Sequence, residues 1–207
     1  MLALRNQPLF VLLLGITSLL MYVPVLFSIR LDQWLYARTF FYHGTFFLII
    51  TAFLGIAFSS QKLRKKIVQN IFDLFCCFVF LPIFMAMPLN YLITNINFFD
   101  AYFEMLSSFT TTGASIFDLN YRVPDVLHLW RALISWVGGL LMLVAALAIF
   151  QPAGLGGFDV YTRKNNSDNL KNQIKRVDIR SRIIKYSILI SPIYFILTIV
   201  MSILLIM

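Results

Sequence analysis

Charge is what this sequence has least of. Of its 207 residues, 13% are Asp, Glu, Lys or Arg, and only nine are acidic. A soluble globular chain carries about 25% charged and about 45–50% apolar residues. Here 60% of residues are apolar and the mean hydropathy is +0.83, which excludes the ordinary soluble class. Cysteine and histidine are nearly absent, with two of each. Cys76 and Cys77 are adjacent and cannot sensibly pair with each other, and no C-x-x-C or histidine cluster accompanies them. Their expected role is small apolar filler. His43 and His128 each lack a second ligand at metal-binding spacing and read as interfacial histidines. No H-E-x-x-H, no G-x-S-x-G and no pair of intramembrane aspartates is present, so the sequence offers no residue set for an intramembrane enzyme. "GLGGFD" at 154–159 follows an apolar run rather than a strand, and its third glycine is misplaced for a dinucleotide fingerprint. It reads as a turn.

What the sequence has instead is length in its apolar runs. A transmembrane helix needs roughly 20 mostly apolar residues. Five runs qualify, at approximately 8–28, 39–59, 67–93, 128–150 and 183–207. The first is too long for the core of a signal peptide and no A-x-A-like site follows it, so it reads as an uncleaved helix. Lys and Arg collect in loops on the cytoplasmic side. Lys62, Arg64, Lys65 and Lys66 lie between runs two and three, and eight more basic residues lie between Arg163 and Lys185. Both segments are cytoplasmic only if an even number of crossings separates them, and runs three and four supply two. The stretch between those runs then enters and leaves on the outer side, and the N-terminus is cytoplasmic. The net charge of +8 is on this reading a topology signal rather than a nucleic-acid footprint.

That intervening stretch, "FFDAYFEMLSSFTTTGASIFD" at 98–118, belongs to neither neighbouring run. Residues 98–109 predict a helix of about 18 Å, half of what a crossing requires. Phe99, Tyr102, Phe103, Leu106 and Phe109 recur at helical spacing as one apolar face, and Asp100 in the first turn complements the helix dipole. The helix stops at "TTTGAS". Non-helical backbone at membrane depth is tolerated only where it is buried in protein or lines a water-filled cavity. A half-length helix ending in a polar loop is therefore expected to be a re-entrant pore helix followed by a selectivity filter. Thr110, Thr111 and Thr112 supply successive carbonyls on stiff, β-branched residues, Gly113 permits positive φ, and Ala114 and Ser115 are small. The negative end of the preceding helix favours a cation.

Other polar residues have plainer readings. Glu104, an acid at membrane depth, either braces the filter through backbone amides or meets the ion directly. Arg131 pairs with Glu104 or Asp125, or snorkels into the headgroups. Gln69, Asn70 and Asp73 read as an interfacial cluster near the cytoplasmic end of run three. Ser135, Gly138, Gly139, Ala145 and Ala146 give run four a small-sided face suited to close helix packing. Residues 162–182 form a polar, basic cytoplasmic linker.

The span from Leu81 to Tyr161 resembles the TrkH/KtrB/HKT superfamily of potassium transporters, and most closely its TrkH-type members. "LPIF", "DAYFEMLSSFTTTGAS" and "LWRALISWVGGLLMLVAALAIFQPAGLGGFDVY" carry the resemblance, with Trp136-Val137-Gly138-Gly139 and Gly154-Leu155-Gly156-Gly157 in order behind the filter. The first two runs look like the extra N-terminal pair of TrkH proteins. The resemblance implies an all-α integral membrane protein built on M1–P–M2 pore repeats of a potassium-channel-like fold. Five transmembrane helices and one re-entrant pore helix with its filter loop are expected here. It divides the chain into an N-terminal helix pair (1–62), a first pore repeat (63–152), a cytoplasmic basic linker (153–182) and the first helix of a second repeat (183–207). The expected identity is the N-terminal portion of a TrkH-type transporter, with Thr110 to Ser115 as one quarter of a pseudo-fourfold filter.

Potassium is then the transported substrate, held at Thr111, Thr112 and Gly113, with Asp100, Glu104 and Arg131 as filter support. Neither enzymatic activity nor a cofactor is expected. The implied setting is a multi-pass protein of the cell inner membrane, with a nucleotide-binding regulatory subunit docked on its cytoplasmic face and no nucleic-acid partner. The missing filter segments come either from a homo-oligomer or from further repeats. The alternative is a non-conducting fragment or split subunit that acts by association with a separately encoded remainder.

Overall fold

The structure is a computed structural model that describes residues 7–58, 67–117, 123–150 and 179–206. Among these the chain is entirely helical: α1 (Leu9–Leu20), α2 (Tyr22–Arg30), α3 (Trp34–Phe58), α4 (Ile67–Leu92), α5 (Phe98–Phe109), α6 (Asp125–Phe150) and α7 (Ile179–Ile206). Five segments are long and apolar enough to cross a membrane: Leu9–Arg30, Trp34–Phe58, Phe72–Leu92, Asp125–Leu147 and Lys185–Leu205. They coincide with the five apolar runs, and the first comprises α1 and α2 together. The break at Met21 falls where Pro24, lacking an N–H, leaves the Leu20 carbonyl without its usual partner. The basic segments at 62–66 and 163–176, and "GLGGFD" at 154–159, lie outside the described residues, as do the side chains of Gln69 and Asn70.

The chain divides into two compact units: Met1–Arg64 with Ile71–Gly139, and Lys65–Asn70 with Leu140–Met207. The second contains α7, whose membrane-length window has none of its residues buried within the chain. The first is the packed one. Its N-terminal helices close on α3 through small residues. A Cβ at Gly44 would come within 3.2 Å of Met21 Cβ and 3.3 Å of the Ser18 carbonyl, while one at Gly15 would come within 3.1 Å of Thr51 Cγ2. Without a hydrophobic drive between helices in lipid, such close approach supplies the van der Waals contact that holds them.

Aromatic side chains then join the helix layers. Phe84 of α4 meets Phe10 at 6.1 Å and Phe47 at 5.3 Å between ring centroids, and Phe40 of α3 meets Trp130 of α6 edge-on at 5.5 Å. Helix α4 contributes its backbone as well. Trp130 Nε1 donates to the Met85 carbonyl at 3.2 Å, and Tyr102 Oη of α5 donates to the Val79 carbonyl at 3.1 Å. Each accepting carbonyl lies three residues before a proline inside α4, Pro88 and Pro82. Proline removes one ladder bond and pushes the nearby turn open. The two prolines thus mark the places where α6 and α5 dock. Phe40→Ala should cost about 3–5 kcal/mol by opening a cavity. Trp130→Phe keeps one aromatic ring but loses part of the buried indole and one hydrogen bond, and should cost less, about 2 kcal/mol. Unfolding of the purified variants in mixed micelles checks the order.

Candidate functional site

Helix α5 covers the twelve residues expected of it, Phe98–Phe109. Its start is set locally: Asp100 accepts the Asn97 backbone N–H at 3.0 Å, the acidic half of a capping box. Asp100 therefore sits at the far end of the helix from the threonine loop. It caps α5 and is not brought to Glu104 and Arg131. The buried face of α5 overlaps the aromatic stripe only at Phe109. Ala101, Glu104, Met105, Ser107 and Phe109 are buried, whereas Phe99 is 80% and Phe103 is 44% exposed. An outward-facing aromatic carries little cost in lipid, so hydrophobic periodicity does not identify the inner face of a membrane helix. The buried acid does, because only the protein interior supplies it with hydrogen-bond donors.

Glu104 is fully buried. Its carboxylate accepts Ser115 Oγ at 3.0 Å and the Ile116 N–H at 3.1 Å, and forms an ion pair with Arg131 Nη2. Arg131 thus resolves onto Glu104. Its guanidinium also donates to Ser115 Oγ at 3.4 Å and lies 5.6 Å from the centre of the Phe117 ring. Ser115 accepts the Phe117 N–H at 3.2 Å in turn. One buried carboxylate therefore ties α5, residues 115–117 and α6 together. Removing one member of such a pair is strongly destabilising because it strands a buried charge.

The loop begins where α5 ends. The last four carbonyls of a helix have no intrahelical partner, and here all four are met. Leu106 O accepts the Thr110 N–H at 2.9 Å and Thr110 Oγ1 at 2.8 Å; Ser107 O accepts the Thr112 N–H at 2.9 Å and Ser108 O the Thr111 N–H at 3.1 Å. The fourth, Phe109 O, faces Gly138 of α6, where a Cβ would sit 1.9 Å from it. Adding one carbon–carbon bond puts Gly138 Cα within about 3.4 Å of that oxygen, in the range of a Cα–H···O contact.

Past this capped end the pattern inverts. The carbonyls of Thr110, Thr111, Thr112 and Gly113 have no hydrogen-bond partner among the described residues. Thr111, Thr112, Gly113, Ala114 and Ser115 are exposed, and Thr110, the C-cap, is half-buried. Thr111 and Gly113 both have positive φ, +56° and +76°, while Thr110 has −83°. Positive φ is a genuine outlier for a β-branched residue and costs of order 1–3 kcal/mol, so Thr111 is held there by its surroundings. Thr110 Oγ1 lies 2.8 Å from Thr112 Oγ1, spanning the strained residue. Ser107 Oγ donates to the Ala114 carbonyl at 2.6 Å and closes the loop back onto α5.

Sequence reasoning assigned no task to Ser107 or to the Ile116 amide, and gave Gly138 a packing role in general terms. The available signal for Ser107 was its position one turn after Glu104 on the same face. Among the described residues, no group of three or more His, Cys, Asp or Glu side chains is arranged to hold a metal ion. Cys76 and Cys77 are free thiols, the second of them buried.

Gly138→Ala forces a methyl group into the Phe109 carbonyl and should destabilise by about 1–3 kcal/mol or more. Gly55→Ala is the control. Its Cβ would have no neighbour closer than Gln7 Oε1 at 4.0 Å, and replacing a helical glycine should gain up to about 1 kcal/mol. Micelle unfolding of the two variants should move in opposite directions.

A family model for TrkH, described as a cation transport protein, matches residues 39–207. Among curated proteins, the Trk system potassium uptake protein TrkH of Vibrio parahaemolyticus is 37% identical over 67 residues, covering 32% of this chain and 14% of its own. TrkG of Escherichia coli K12 is 37% identical over the same length and coverage. TrkI of Halomonas elongata is 32% identical over 78 residues, 38% of this chain and 16% of its own. The matches thus span about one-seventh of the curated relatives. No solved structure matches. With five membrane-length helices and a family model over residues 39–207, the chain is a multi-pass membrane protein and belongs to the TrkH family of cation transport proteins.

Proposed function

We propose that the chain contributes to potassium uptake across the cytoplasmic (inner) membrane, with residues Thr110 to Ser115 as one segment of a carbonyl-lined selectivity filter. The observation that carries this reading is the contrast at residue 110: the carbonyls of Leu106, Ser107 and Ser108 accept hydrogen bonds from the loop and Phe109 O abuts Gly138, whereas the next four have no hydrogen-bond partner among the described residues. Unpartnered carbonyls beside the negative end of a helix are what a dehydrated cation requires. Thr111, Thr112 and Gly113 are the proposed potassium contacts. The positive φ values at Thr111 and Gly113, with ordinary backbone between them, support a strand whose successive peptide planes turn towards one side. Potassium rather than another cation is favoured by the curated relatives, which are potassium uptake proteins by name.

On this reading α5 is re-entrant, α4 and α6 are the helices that flank it, and the N-terminus is cytoplasmic. The support is charge parity: the basic segments at 62–66 and 163–185 lie on one side only if residues 93–124 return to the side they left. Glu104 and Arg131 hold the descending limb of the loop, and Asp100 acts at a distance by capping α5. One filter segment cannot enclose an ion, so the ring is completed by further segments. They come from other copies of this chain, from further repeats, or from a separately encoded polypeptide, and in the last case this chain acts by association. The basic linker at 153–182 is the surface for a cytoplasmic nucleotide-binding regulator.

Expression of the 207 residues in cells unable to take up potassium at low external concentration tests the reading. Rescue of growth that is lost with Gly113→Asp is the expected result for a self-sufficient assembly. Absence of rescue both alone and beside a co-expressed set of the remaining filter segments overturns it.

A further inference from the structure

Arg131 presents a difficulty for any cation site on this loop. Its guanidinium lies at hydrogen-bond distance from Ser115, two residues beyond Gly113, and two residues span at most about 7 Å. An uncompensated positive charge that close repels the ion the loop would hold. Bracing of the loop by hydrogen bonds is already supplied by neutral donors, the Ser115 hydroxyl and the Ile116 amide; what the guanidinium adds is a charge. The structure places against Arg131 a carboxylate with no solvent exposure at all, fixed by the Ser115 hydroxyl and the Ile116 amide. The guanidinium itself is 22% exposed, so its field reaches the outer face of the loop while that of Glu104 is delivered from inside.

We propose that Glu104 and Arg131 form a compensated charge pair that sets the electrostatic potential at residues 110–114, making both of them specificity-determining residues beyond their bracing role. This rests on the cation-binding reading of the loop. Its distinguishing consequence is one of sign. A purely structural brace predicts that loss of either partner disturbs the loop in the same way. A charge pair predicts opposite effects: Glu104→Gln leaves a net positive charge beside the loop, and Arg131→Gln a net negative one. With both removed, the potential returns to its starting value.

The measurement reads potential directly, without requiring transport. Ala114 is exposed and uses only its backbone carbonyl, so Ala114→Cys in a Cys76→Ala/Cys77→Ala background is the reporter. Purified full-length protein is reacted with a cationic trimethylammonium-ethyl and an anionic sulfonate-ethyl methanethiosulfonate, and the ratio of the two rates is taken. At separations near 10 Å, a unit charge should shift the ratio about tenfold or more. The ratio should fall with Glu104→Gln and rise with Arg131→Gln. It should stay within about threefold of the parent with Arg131→Lys and with the doubly neutral pair Glu104→Gln/Arg131→Gln.

Single variants that shift the ratio in the same direction, or not at all, overturn the proposal. So does an Arg131→Lys shift as large as that of Arg131→Gln. Where a single variant does not fold, the doubly neutral pair still decides, since a tenfold departure in it is incompatible with compensation. Protection of the reporter by potassium chloride against N-methylglucamine chloride tests the cation-binding reading separately. A potential that obeys the sign rule without potassium protection leaves the pair standing and removes the ion.

Discussion

The packed part of this molecule depends on how one ionised carboxylate is satisfied away from water. Glu104 sits on a short apolar helix with no solvent exposure, where an isolated charge is prohibitively costly. Its three donors come from two places in the chain: a hydroxyl and an amide from the segment after the threonines, and a guanidinium from α6. That requirement fixes where residues 115–117 run and how α6 is rotated about its axis. The close seat of Gly138 on the Phe109 carbonyl, seven residues further along α6, is compatible with that rotation because both contacts fall on the same helical face.

The loop between those two anchors is then over-determined at both ends and open in the middle. Thr110 is held to the last turn of α5 and Ala114 is tied to Ser107. The intervening residues adopt a backbone that threonine does not choose freely, with Thr111 in the left-handed region. A strained residue persists only where its flanks allow nothing else. Rigid ends and unsatisfied carbonyls are what a site needs if it is to exchange protein oxygens for water on a cation. A loop that collapsed onto its own amides would have nothing left to offer.

Legibility in the sequence varied with the kind of physics involved. The five spans were readable to within about five residues and the short helix at 98–109 to the residue, because apolar run length and helix-stop signals act locally. The inner face of α5 was not. Its aromatic stripe does not mark that face: Phe99 and Phe103 are exposed, and the buried stripe carries Glu104 and Ser107. Asp100 was legible as a first-turn acid suited to the helix N-terminus, where it caps α5; that it stays apart from Glu104 and Arg131 is seen only in the fold. Between Glu104 and Asp125, the sequence offered Arg131 two acids of equal standing. Only the fold distinguishes them, by bringing one of the two within reach.

The sequence by itself determined class and order: a membrane chain, its spans, a half-length helix, and a threonine–glycine loop after it. These follow from periodicity, length and turn chemistry, all of which operate over fewer than about 25 residues. Tertiary structure decided which groups meet: Arg131 with Glu104, Gly138 with Phe109, Trp130 with Met85, and, among the described residues, no hydrogen-bond partner for the carbonyls of 110–113. Those outcomes depend on the relative rotation and depth of helices far apart in sequence. A hydrogen bond is made or lost within less than 1 Å of such placement.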